Sequence, residues 1–168
     1  HNFSEYNPAH KILIFGGGNG SPGGGHSISG VNAGPGGDRL AWGEGYGDYL
    51  QSAVRTIIPS AGDLSFYIDV TGLTIDLEAV PNASALSEGG IAALLWDFTE
   101  SNVDGSDTVN HGYARIVKVF TDPAFQGNTQ CNMTRFLKVW KDLGFPTDAA
   151  TAATVRMRGR PVEIDATK

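Results

Sequence analysis

The chain has 168 residues, 40% of them hydrophobic, which suits one domain with a single core and excludes a disordered chain. A net charge of −6 with no basic stripe makes nucleic acid and anionic membrane surfaces poor partners, and no apolar run is long enough to span a bilayer. A single cysteine, Cys131, excludes an internal disulfide framework and a cysteine-based metal cluster.

The chain opens at His1 without a signal peptide, as a processed protein or an excised fragment does. Scarce lysine and abundant Gly, Asn, Asp, Ser and Thr point to secretion. So do the three N-x-S/T acceptor sites for N-glycans at Asn2, Asn82 and Asn132. His10 precedes the strand-like run KILIF and reads as a surface or edge residue.

Residues 16–37 form a glycine-rich region punctuated by His26, Ile28 and Val31. It is expected to be an ordered, irregular loop packed over a site, because long loops inside compact domains are usually functional. Neither a P-loop nor a strand–G-x-G-x-x-G–helix context is present, which argues against phosphate cradling.

From Leu40 to Ile57 apolar residues recur at helical spacing, and Pro59 ends the run. Within it, WGEGYGDYL places three glycines in a helix, although each costs about 1 kcal/mol against alanine. Glycine there permits close approach of a neighbouring backbone. Residues 64–70 alternate Leu64, Phe66, Ile68 and Val70, and LTIDLEAV follows Thr71 and Gly72, which predicts a small β-hairpin.

Three or four helices are then expected. Ser87 and Glu88 open the first, and Thr108 opens a second running through His111 and Tyr113. NMTRFLKVWKDLG stops at Gly144 with Pro146 beyond, and Thr147 and Asp148 cap DAATAATVRMR before Gly159. Asn102, Asp104 and Asp107 do not fit the calcium-loop spacing and read as a polar turn. The expected architecture is one mainly α domain (α+β) over residues 1–168, with the hairpin and the glycine-rich loop.

Glu44 and Asp48 lie four apart and share a helix face. Aromatic residues around them indicate burial, and a buried carboxylate needs a cation, a metal or several donors. A metal ligand at Glu44, oriented by Asp48, satisfies this.

WGEGYGDYL resembles the third-ligand helix of gluzincin-type zinc metallopeptidases, where an E-x-x-x-D pair follows an H-E-x-x-H helix. PGGGHS before that segment, and EGGIAALLWDFTES and TRFLKVWKDLGFPTDAA after it, extend the similarity over about residues 20–159. The resemblance implies a helical metallopeptidase-like subdomain, a zinc ion, a peptide or protein substrate, and hydrolysis by metal-activated water. No H-E-x-x-H run is present, and its expected place holds His1, Asn2, Phe3, Ser4 and Glu5. If these positions correspond, His1, Glu5 and Glu44 are the metal ligands and Asn2 replaces the general base, so turnover would be disabled or badly weakened. Alternatively the signature lies upstream, in a longer protein.

The resemblance also implies a later histidine or tyrosine that steadies the oxyanion, for which His111 and Tyr113 are the candidates. His26 is a candidate substrate-side donor or substitute ligand near Glu44. Two other readings stay open: a catalytically degenerate binding or structural module of the same fold, and a copper protein using the amine and imidazole of His1.

Overall fold

A computed structural model describes residues 37–55, 66–68, 74–80, 84–100, 109–126 and 131–158. The described part is mainly helical. Its helices are α1 (Gly37–Arg55), α2 (Glu88–Thr99), α3 (Tyr113–Thr121), α4 (Pro123–Gln126), α5 (Met133–Asp142) and α6 (Ala149–Met157). Two three-residue strands, β1 (Phe66–Ile68) and β2 (Thr74–Asp76), pair antiparallel with Tyr67 opposite Ile75. The turn expected at Thr71 and Gly72 lies outside the described residues, as does nearly all of the glycine-rich loop.

Helix α2 sits at the centre. Every residue from Glu88 to Phe98 is buried, as expected of a helix that is apolar on nearly all sides. Ser87 starts it: its side chain accepts from the Gly90 backbone N–H, satisfying a donor that the first turn leaves over. Gly90 has no room for a side chain, since a Cβ there would lie 2.3 Å from the backbone N and O of Ser84.

Helix α1 buries Ala41, Trp42, Gly45, Tyr49, Ser52 and Ala53, which recur every three or four residues, and it meets α2 at Gly45 and Tyr49. The contact is closest at Gly45. A Cβ there would lie 2.4 Å from the Glu88 carbonyl oxygen and 2.7 Å from Ile91 Cβ. A Cβ at Gly47 would meet nothing within 4 Å. One glycine of the WGEGYGDYL stretch is therefore required by helix packing, and a second is not.

The amphipathic helices α3 and α5 close the other side of the core. Trp42 meets Phe120, Phe125 and Phe136 at ring-centroid distances of 5.4–5.7 Å, and Phe98 meets Trp140 at 4.9 Å. Such offset and tilted aromatic pairs stabilise beyond the area they bury. The end of α5 is a Schellman turn: Gly144 at φ 72° lets the Phe145 N–H reach the Trp140 carbonyl and the Gly144 N–H reach that of Lys141. Phe145 then stacks on Trp140 at 5.0 Å.

The helix expected to open at Thr108 begins instead at Tyr113. The N–H groups of His111 and Gly112 both donate to the Phe98 carbonyl at 2.9 Å, so the chain before Tyr113 is held against the end of α2 outside any helix. Gly112, at φ 77°, makes the turn into α3. Helix α4 is a single turn that the sequence patterning does not announce. It starts at Pro123, whose fixed φ suits a first helical position, after Asp122, whose carboxylate accepts from the Ala124 N–H.

Candidate functional site

Glu44 and Asp48 are half-buried and stand one turn apart on α1, along one flank of the stripe that packs on α2. Gly45 lies between them in sequence and at the point of closest approach to α2, so the backbone carrying both carboxylates is seated on the central helix. His1, Glu5, Asn2, His26, Asn82 and the Asn102–Asp107 turn lie outside the described residues.

Asn132, the remaining glycan-acceptor site, has its amide engaged at both ends. Its oxygen caps α5 by accepting from the Arg135 N–H, and its nitrogen donates to Asp38 on α1 at 2.6 Å.

Tyr113 is exposed and lies close enough to Tyr46 and Tyr49 of α1 to oppose the ionisation of both. Burial, with Tyr113 adding to it, pushes the Tyr46 hydroxyl up to about 12. Burial also raises Tyr49, against a hydrogen bond to Thr99 at 2.7 Å that lowers it. Glu44 is two residues from Tyr46, hence about 200° around the helix. Tyr113 therefore neighbours the flank of α1 opposite to Glu44.

His111 faces elsewhere. Its imidazole is buried between the Phe98 ring, edge-on at 4.9 Å, and the Trp140 ring at 5.1 Å. Its Nε2 is 3.0 Å from Thr151 Oγ1, and that hydroxyl lies 2.9 Å from Asp148 Oδ1. An ionised carboxylate can only accept, so the Thr151 proton goes to Asp148 and Thr151 accepts from His111 Nε2–H. The arrangement assigns the tautomer. Burial lowers the histidine's proton affinity, the Arg115 guanidinium lowers it further, and Asp148 opposes both. The described ring and hydrogen-bond partners of His111 are on α2, α3, α5 and α6, and none is on α1.

A second polar cluster was not anticipated. One carboxylate oxygen each from Glu78, Asp97 and Glu100 lie within 4.8 Å of one another. Asp97 accepts two bonds from the Arg158 guanidinium, at 2.7 and 2.6 Å, and both residues are buried. Glu78 accepts from the Trp96 indole N–H at 2.5 Å. Three carboxylates of this kind suit a hard cation or a guanidinium, and here the Arg158 guanidinium forks onto one of them, Asp97. The available signal was Asp97 itself, a charge inside the apolar run IAALLWDF, which demands a buried partner. Nothing local names that partner as Arg158.

Compared with protein-family models, with curated proteins and with solved structures, the chain matches none.

Proposed function

We propose that this chain carries a gluzincin-like zinc-peptidase domain in which Glu44 is a metal ligand and Asp48 orients it. The observation supporting this reading is the half-buried placement of the two carboxylates, one turn apart on a helix that Gly45 seats against α2. A metal site needs its ligands held to within about 0.5 Å, and side chains on a packed helix meet that demand better than side chains on a loop. In the proposal His1 and Glu5 complete the donor set. One imidazole and two carboxylates make a set that zinc accepts, and the ion would supply Lewis-acid activation of water. The small hairpin, the glycine-rich loop near the site and His26 on the substrate side belong to the same proposal, as do a secreted location and a peptide substrate.

Asn2, at the position of the base, carries no group that takes up a proton. The proposed domain therefore holds metal but turns over slowly, and at the limit it is a non-catalytic binding or structural module.

Metal analysis of the purified protein after dialysis against zinc tests the reading. The expected result is one bound zinc, lost in Glu44→Ala while helical circular dichroism is unchanged. Zinc bound equally by Glu44→Ala, or not bound by either protein, overturns it. Copper bound in preference to zinc, with Glu44→Ala without effect, would favour the amino-terminal copper site instead.

A further inference from the structure

Polar groups hold α6 at both of its ends. At the start, Asp148 caps the helix through the Thr151 N–H and Thr151 joins it to His111. At the end, Arg158 forks onto Asp97 of α2. Between these two latches the helix buries only Thr151, Ala152, Thr154 and Val155. Helix α5 buries Met133, Phe136, Leu137, Val139 and Trp140. Hydrophobic hold scales with the apolar area removed from water, so α6 depends on its latches far more than α5 does.

Opening α6 would take Thr151 off the imidazole and admit water to it. Among the described residues, the charged groups facing His111 are Arg115 of α3, whose guanidinium donates to the His111 carbonyl, and Asp148 at the head of α6. From α2 and α5 the neighbours are the Phe98 and Trp140 rings. Burial and Arg115 outweigh Asp148, so His111 takes up a proton less readily when α6 is closed than when water reaches it.

We propose that α6 is an acid-released strap: it opens ahead of the rest of the domain, and its opening is coupled to proton uptake at His111. Opening returns the imidazole toward its ordinary value near 6.5. The opening equilibrium is therefore flat above that pH, rises as the pH falls through it, and levels below the lower value of the closed state. One proton limits the change to about tenfold per pH unit.

Amide hydrogen exchange of the full chain at pH 7.5 and 5.5, corrected for intrinsic rates, tests this. Segments from α6 should lose protection by roughly 2–10-fold at the lower pH, while those from α5 keep theirs. His111→Gln keeps an N–H toward Thr151 but does not titrate, and should abolish the pH effect. Arg158→Lys, which keeps the charge and loses the fork, should raise α6 exchange at both pH values by one common factor. Should His111→Gln fail to fold, an NMR titration of the wild-type imidazole replaces it, and its midpoint must lie below 6.5. Equal loss of protection in α5 and α6, a pH effect that survives in His111→Gln, or a midpoint at or above the ordinary value would each overturn the proposal.

Discussion

Arg158 and Asp97, 61 residues apart in the chain, form a buried bidentate pair that fixes the end of α6 to the central helix. Removing one member of such a pair leaves the other charge buried without compensation, which typically costs about 3–5 kcal/mol. Arg158→Ala and Asp97→Ala should each lower stability by roughly that amount in urea unfolding. The double variant should lose less than the sum of the two, because neither member of the pair is then left facing the place of the other.

The two glycines at 45 and 47 should respond in opposite directions. Gly45→Ala drives a Cβ against the Glu88 carbonyl and Ile91, so α1 must move off α2. Its expected cost is about 1–3 kcal/mol, that of overpacking a core. Gly47→Ala meets open space and should stabilise by roughly 0.5–1 kcal/mol through helix propensity alone. Thermal melts of the two variants decide the matter.

Asp148→Ala removes the cap of α6 and should cost about 1 kcal/mol. The Asp148 carboxyl is held below its ordinary value by the Thr151 backbone and hydroxyl bonds. Its contribution is therefore complete above about pH 4 and is lost as pH falls through the folded-state value. The stability gap between wild type and Asp148→Ala, followed from pH 7 to pH 2, should shrink only at the acid end.

In the proposed peptidase reading, activity follows from Asn2, which stands in the place of the general base. Loss of a general base typically lowers the rate by about 10²–10⁴-fold, so the chain should be a poor peptidase even with zinc supplied. An assay on an unstructured protein substrate, with and without zinc, measures this. Ordinary turnover that Glu44→Ala abolishes would show that another residue is the base and that His1–Glu5 does not align with the missing signature.

The parts of the fold legible in the sequence are those governed by local rules. Ser87 as a helix start, Gly144 as a stop and Asp148 as a cap are decided by groups within five residues of each other. The helical spacing of apolar residues from Leu40 onward likewise marked α1, although Val54 within that run is exposed. The start of α3 was misplaced because the carbonyl that draws away the His111 and Gly112 N–H groups belongs to Phe98, on another helix. The same limit applies to the polar sites. Glu44 and Asp48 advertise themselves by i, i+4 spacing, whereas His111–Thr151 and Asp97–Arg158 are pairings across 40 and 61 residues that no local pattern encodes.

The Asp97–Arg158 pair also sets an order of events during synthesis. A ribosome adding about 5–20 residues per second needs roughly 3–12 s to proceed from Asp97 to Arg158. Throughout that interval α2 carries an acidic side chain in its most apolar stretch, with the described guanidinium that neutralises it not yet made. The buried fork that ties α6 to the central helix is therefore among the last contacts the chain can form. A nascent chain arrested short of residue 158 should lack that tie, and its α6 should exchange amide hydrogens faster than in the full chain.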